Sequence, residues 1–348
     1  MKVLAWPAFK TRYLNPYNWL LYQPMAKQGV QVEEFSFKRL LSKRYDVFHL
    51  HWAAETIVRH PNGIIAGIRA RMMLVLIDWA KFRGTRIVWT FHDKIPHIVL
   101  HPKVAEWFQG ELLKRIDGYI SMCQIGKELA QECYPSLRER PCGIIPHGHY
   151  RGEYADECDR ATARNQLNMP QTSNVILFLG YIAPYKNIPL LIQTFRELDD
   201  PDAILLIVGR LDLPEMQGEL EKSAYQDSRI RLLFGYVPNE ELQFYYRAAD
   251  LVVLPFAEIL NSGSALLALS FDCPILVPNQ GAMAELQTWV GSDWVKVYEN
   301  QLNANLLQES LEWIQKPRSQ QSPLEKLDWE RLSYETIKFY QSLCSKSI

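Results

Sequence analysis

The run Gly180-Tyr181-Ile182-Ala183-Pro184-Tyr185-Lys186 sets one lysine just past a glycine turn, between the apolar stretch Asn174 to Leu179 and a helix-period segment beginning at Ile188. A strand that enters a glycine turn and then a helix offers free backbone N–H groups and one ammonium, a combination that suits a phosphate. The plain alternative is a tight turn with a surface lysine. A second run, Glu258-Ile259-Leu260-Asn261-Ser262-Gly263-Ser264, follows the apolar stretch Leu251 to Leu254. Asn261 and Ser262 are expected to cap a helix whose first turn is Gly263-Ser264. Two anion-ready helix starts in the same half of a chain point to a nucleotide diphosphate that bridges them.

The first half carries histidines instead. Phe48-His49-Leu50-His51-Trp52 and Trp89-Thr90-Phe91-His92-Asp93 each end an apolar strand with polar groups, and Pro146-His147-Gly148-His149-Tyr150 lies where the chain leaves that half. Strand ends of this kind face the ligand crevice of an open sheet. None of these histidines has a cysteine or carboxylate at metal-ligand spacing, so no metal is expected. The six cysteines include no Cys-x-x-Cys pair and read as reduced thiols of a cytoplasmic protein.

Short apolar runs alternating with helix-period segments position these residues, a pattern of strands and crossover helices in parallel sheets. The first half is expected to hold strands at Lys2 to Trp6, Val30 to Phe35, Asp46 to Leu50, Thr85 to Thr90, Gly118 to Met122 and Gly143 to Pro146. Between them, a long helix from Ile64 to Phe82 puts Ile64, Ile68, Met72, Val75, Leu76 and Trp79 on one stripe, with Arg69, Lys81 and Arg83 off it. After a polar stretch the alternation restarts at Asn174 to Leu179, Ala203 to Val208, Ile230 to Phe234, Leu251 to Leu254, Pro274 to Val277 and Trp294 to Val297. This divides the chain into a domain over 1–150, a linker over 151–170, a second domain over 171–325 and a final helix over 326–348. Two doubly wound sheets in series place the expected site in the cleft between them.

With 348 residues, 48% hydrophobic and 22% charged, the chain has the composition of an ordinary globular protein of about two domains. A net charge of -1 argues against a surface built for nucleic acid. That balance hides an asymmetry: residues 1–165 hold 24 Lys/Arg against 16 Asp/Glu, and the remainder 14 against 23. A basic half suggests an anionic partner surface, with membrane phospholipid or a lipid-phosphate substrate as plausible as nucleic acid. The four-residue apolar run before Pro7 reads as a first strand rather than a signal peptide. No stretch approaches the ~20 apolar residues of a membrane span, so any membrane association is expected to be peripheral, on the inner face of the cytoplasmic membrane. Lys38-Arg39, Lys43-Arg44, Arg69, Arg71, Lys81, Arg83 and the segment Ile95 to Phe108 are the expected docking residues.

Four motifs in order, Gly180 through Lys186, Phe234 through Leu242, Ala249 through Pro255 and Ser262 through Pro274, resemble the donor domain of GT-B glycosyltransferases of the family 4 group. The resemblance covers nearly the whole chain. Within that group, Ser262 through Phe271 and Pro146 through Tyr150 look like bacterial GDP-mannose:glycolipid 4-β-D-mannosyltransferases of exopolysaccharide assembly. It implies an α/β fold of two Rossmann-like domains facing across a cleft, with a C-terminal helix crossing back to the N-terminal domain. It also implies transfer of a hexose, mannose first, from a nucleotide diphosphate sugar to a lipid-linked saccharide, the nucleotide sugar being substrate and no cofactor being needed.

By that resemblance Lys186 would neutralise the donor diphosphate, Ser262, Gly263 and Ser264 would hold its oxygens, and Gly235, Tyr236 and Val237 would line the base and ribose pocket. Gly180, Glu258 and Asn261 belong to the same donor group. Two departures stand out. The usual arginine of the Gly-Arg-Leu segment is Tyr181, leaving Arg210 as a substitute charge, and the spaced glutamate pair of retaining members is broken at Ile259 and Leu267, with Glu258 one residue early. This favours an inverting displacement, which needs a general base for the acceptor hydroxyl. His92 and Asp93 are the leading pair, Glu55 stands in reserve, and His49, His51, Trp52, His147 and His149 are expected around the acceptor. A retaining transferase using a UDP-sugar and a non-enzymatic binding protein on a degenerate fold remain the alternatives.

Overall fold

The computed structural model describes residues 1–93 and 100–345. It divides into two compact units, the first comprising residues 1–148 and 327–348 and the second residues 149–326. The strands are β1 (Lys2–Trp6), β2 (Gln31–Glu34), β3 (Val47–Leu50), β4 (Arg86–Phe91), β5 (Gly118–Ser121), β6 (Cys142–Ile144), β7 (Val175–Leu179), β8 (Ile204–Gly209), β9 (Ile230–Phe234), β10 (Leu251–Val253), β11 (Ile275–Pro278) and β12 (Val295–Tyr298). Each lies within a residue or two of its expected position. Among the α-helices are α1 (Tyr17–Tyr22), α2 (Phe37–Ser42), α3 (Ala53–Val58), α4 (Gly63–Phe82), α5 (Pro102–Leu113), α6 (Gln124–Cys133) and α7 (Arg160–Gln166). They continue with α8 (Ile188–Arg196), α9 (Met216–Ala224), α10 (Leu242–Ala248), α11 (Gly263–Ser270), α12 (Met283–Val290), α13 (Ala304–Ile314) and α14 (Trp329–Ser345).

The first unit is a six-stranded sheet in the order β2-β1-β3-β4-β5-β6, and the second one in the order β12-β11-β10-β7-β8-β9. All the pairings between these strands are parallel. The central strands β7 and β8 are wholly apolar and buried along their full length, as in a parallel sheet covered by helices on both faces. In each sheet the chain reverses its direction of travel once, between β1 and β3 and between β7 and β10, and ligands collect at the carboxyl ends beside such a reversal.

The C-terminal helix α14 belongs to the first unit, burying Trp329, Leu332, Thr336, Ile337, Tyr340 and Leu343. Its fit is set by glycine, since a Cβ on Gly148 would lie 2.4 Å from the Trp329 ring. Two sequence expectations change here. The stretch 151–170 carries α7, packed on α10 in the second unit. Arg164 is fully buried and donates to Asp250 Oδ2 (2.7 Å), Ala248 O (3.1 Å), Pro170 O (3.1 Å) and Gln171 O (2.7 Å). On α4 the stripe of large apolar residues turns outward. Ala66, Gly67, Ala70, Met73, Leu74, Ile77 and Ala80 are buried in its place, because small residues let this helix approach its neighbours closely.

Candidate active site

In the second unit, both sequence runs follow the strands that flank the reversal, β7 and β10. Gly180, Gly209 and Gly235 end the adjacent strands β7, β8 and β9, at φ of 148°, 148° and 149°. The approach is tight, since a Cβ on Gly209 would lie 1.8 Å from Gly180 O. Ser264 Oγ lies 3.2 Å from the Cβ position of Gly180, so the glycine turn and the start of α11 meet. Ser262 alone caps α11, its hydroxyl accepting Ala265 N–H at 3.1 Å. Asn261 stands one residue outside that cap.

Lys186 is not a surface residue. It lies in the 3-10 turn Pro184–Lys186 and is 7% exposed. Its Nζ sits 4.3 Å from the Phe256 ring centroid and 5.4 Å from that of Tyr185, while Ala257 N–H donates to Tyr185 O at 2.8 Å. Among the described residues no carboxylate pairs with it. Burial lowers its pKa to about 8, so the ammonium is still largely charged at neutral pH. A buried cation without a counter-ion costs stability unless an anion arrives.

The other donor candidates lie farther out. The Tyr181 hydroxyl donates to Asp212 Oδ1 at 2.6 Å, which raises its pKa. Arg210 and Glu258 are exposed, Gly263 is partly buried, and Tyr236 is 74% exposed between exposed Gly235 and half-buried Val237 in the loop after β9. A Cβ on Gly263 would meet the Tyr150 hydroxyl at 3.1 Å.

In the first unit, β3 and β4 deliver a buried chain of imidazoles and phenols. His49 Nε2 is hydrogen-bonded to Thr90 Oγ1 (2.7 Å), and His49 Nδ1 to the hydroxyls of Tyr22 (2.7 Å) and Tyr340 (2.6 Å). Tyr22 also reaches His51 Nε2 (2.6 Å), and His51 Nδ1 reaches His92 Nε2 (2.9 Å). Neutral His51 carries one ring proton, so either it donates to His92 and accepts from Tyr22, or the reverse. Burial holds His49 and His92 down to about 3 and His51 well below its usual value, with His92 pulled back slightly by Asp93. These rings are neutral at pH 7. His92 stacks on Trp52 at 3.9 Å between centroids.

Beside that stack opens a cavity of about 450 Å³, lined by Trp52, Trp89, Glu55, His92, Asp93 and Gln109 among others. Structure therefore brings the expected base candidates His92, Asp93 and Glu55 together with Trp52. His49 and His51 lie behind, in the core. His147 is half-buried, its Nδ1 hydrogen-bonded to Gly148 O (2.8 Å) and its ring against Tyr17 (4.8 Å), and desolvation lowers its pKa to about 4. His149 Nδ1, in the second unit, accepts Arg151 N–H at 3.2 Å.

Three residues of this region escape a sequence reading. Tyr22 and Tyr340 join the histidine chain from helices that carry no motif, and Tyr340 stands 291 residues from His49. Glu34, at the end of β2, accepts the N–H groups of Ala8 (3.2 Å), Phe9 (2.8 Å) and Lys10 (3.0 Å) and so shapes the loop after β1. Nothing in the run Gln31-Val32-Glu33-Glu34 singles out Glu34 from its acidic neighbour Glu33.

Residues 159–313 match the model of the glycosyl transferases group 1 family. Over 333 residues the chain is 32% identical to a GDP-mannose:glycolipid 4-beta-D-mannosyltransferase of Xanthomonas campestris pv. campestris, covering 95% of this chain and 89% of that one. The chain belongs to the group 1 glycosyltransferases. This glycosyltransferase is also 35% identical, over 37% of its length and 33% of the relative's, to a D-inositol 3-phosphate glycosyltransferase of Corynebacterium efficiens. Among solved structures, sucrose-phosphate synthase from Thermosynechococcus elongatus superposes with a TM-score of 0.69 at 16% identity over all of both chains. A glycosyltransferase from Rickettsia africae gives 0.63 at 12% over 99% and 96%. Those likenesses establish the GT-B fold, and the group's chemistry makes the protein an enzyme that transfers a sugar from a nucleotide donor.

Proposed function

We propose that this glycosyltransferase moves mannose from GDP-mannose, with inversion, to a lipid-linked oligosaccharide of cell-envelope or exopolysaccharide synthesis. The observation that carries the donor reading is Lys186, a buried ammonium with no carboxylate partner among the described residues, in the turn after Gly180, the glycine that meets Ser264 of α11. There it neutralises the diphosphate, and the N–H groups that open α11 with the hydroxyls of Ser262 and Ser264 receive the oxygens. The choice of mannose and of a glycolipid acceptor follows the activity of the Xanthomonas relative.

Asp93 is the proposed base. His92 is held neutral by burial and engaged by His51 through Nε2, so it orients rather than accepts, whereas Asp93 is half-buried on the cavity wall. Asp93 takes the proton of the acceptor hydroxyl as that oxygen attacks the anomeric carbon and the nucleoside diphosphate departs. Trp52 and Trp89 offer flat apolar faces to the acceptor sugar.

Incubating the enzyme with GDP-mannose and a lipid-linked glucose disaccharide tests the reading, with proton NMR of the anomeric signal of the product. A β-mannoside is expected, formed more than tenfold more slowly by Asp93→Asn. Transfer from UDP-glucose instead, an α-linked product, or full activity of Asp93→Asn would each overturn the corresponding part.

A further inference from the structure

The outward face of α4 is apolar where a surface helix is normally polar. Ile64 (76% exposed), Ile68 (50%), Met72 (52%), Val75 (66%), Trp79 (41%) and Phe82 (83%) run along the 20-residue helix on this one side. The patch continues onto α2, which contacts α4 and exposes Phe37 and Leu41. Arg83 joins the two helices, donating from Nη1 to Leu41 O at 2.8 Å with its guanidinium 5.6 Å from the Trp79 ring centroid. Contiguous apolar exposure on this scale marks a docking surface.

Charge decides what docks. Lys38, Arg44 and Arg69 stand exposed with no acidic partner among the described residues, and Arg71 lies 5.1 Å from the Trp107 ring centroid on α5. The only acid on α2 or α4 is Asp78, which Arg115 holds at 2.8 Å. Not every basic residue expected at a membrane is available: Lys43 and Arg39 are paired with Glu33, and Lys81 with Asp117. Of the expected segment Ile95 to Phe108, residues 95–99 lie outside the described residues, and Phe108 is buried.

We infer that this face of α2 and α4 docks on an anionic lipid bilayer, lying in its interface with Val75, Trp79 and Phe82 among the acyl chains and Lys38, Arg44 and Arg69 at the headgroups. A second copy of the chain would bring two basic faces together and repel. Among the described residues no helix is long and apolar enough to cross a membrane, so α4 lies on the surface. The inference deepens the reading of a lipid-linked acceptor by naming the surface that approaches the lipid, and it is read by binding alone, so its failure is separate from any failure of transfer.

Cosedimentation with phosphatidylcholine vesicles, with and without 30 mol% phosphatidylglycerol, tests it on the full chain. The protein is expected to bind the anionic vesicles at least tenfold more tightly than neutral ones, with the gain lost in 0.5 M NaCl. The exposed double variants Val75→Glu/Phe82→Glu and Lys38→Glu/Arg44→Glu should each bind at least tenfold more weakly, with the thermal midpoint unchanged. No binding to anionic vesicles, or undiminished binding by either variant, overturns it. So does a dimer in analytical ultracentrifugation that Val75→Glu/Phe82→Glu dissociates, which would assign the face to a second copy.

Discussion

The two units treat buried polar groups in opposite ways. In the first, His49, His51, Tyr22, Tyr340, Thr90 and His92 hydrogen-bond one another, a network with no net charge. In the second, Lys186 is almost as buried and lies against the rings of Phe256 and Tyr185, with no carboxylate partner among the described residues. The same unit shows what a compensated cation looks like, because Arg164 is fully buried against Asp250 and three carbonyls. A satisfied network fixes shape, whereas an uncompensated charge is a place for a ligand.

The comparison breaks most visibly at Arg164. Arg164→Met should cost about 3 kcal/mol, because the carbonyls of Ala248, Pro170 and Gln171 lose their buried charged donor and Asp250 keeps only Arg160 and the Val175 N–H. Urea denaturation measures it, and a loss under 1 kcal/mol would show the pair to be dispensable. Lys186→Met should leave the urea midpoint unchanged or raise it, since the removed charge had no partner.

Acid should act on the first unit. Unfolded histidines, with an ordinary pKa near 6.5, bind protons that folded His49 and His92 refuse down to about 3. Stability is therefore complete above pH 6.5 and drains as the pH falls below it, by about 2 kcal/mol per such histidine at pH 5. Melting curves at pH 7.5 and 5.0 check this; a midpoint indifferent to pH across that window would mean the imidazoles are charged or solvated. The smallest effect belongs to Tyr181→Phe, whose hydrogen bond to Asp212 is exposed. It should shift stability by less than about 0.5 kcal/mol, and a larger loss by urea titration would mark that contact as structural.

How far the sequence announced this architecture varies with distance along the chain. Runs such as Val175–Leu179 and Ile204–Gly209 are apolar throughout and bounded by turn residues, so both sheets are legible from local pattern. The Gly180 and Ser262 runs are legible for the same reason. The burial of Lys186 is not, because it depends on Phe256, which arrives from the loop after β10. The histidine chain hides likewise, since Tyr22 and Tyr340 come from helices whose periodicity speaks only of packing. On α4 the pattern marks apolar residues on every side and cannot say which stripe faces in; the small residues Ala66, Gly67 and Ala70 decide it.

Isothermal titration of GDP into the wild-type enzyme and Lys186→Met shows whether the buried ammonium holds the diphosphate. Losing a charge-assisted contact of about 1.5–3 kcal/mol should weaken binding by at least tenfold. With the Lys186 pKa near 8, wild-type affinity should also fall about tenfold from pH 7 to pH 9 as the ammonium loses its proton, and Lys186→Arg should hold its affinity over that range. Equal affinity of wild type and Lys186→Met at pH 7 would contradict the account and place the diphosphate elsewhere.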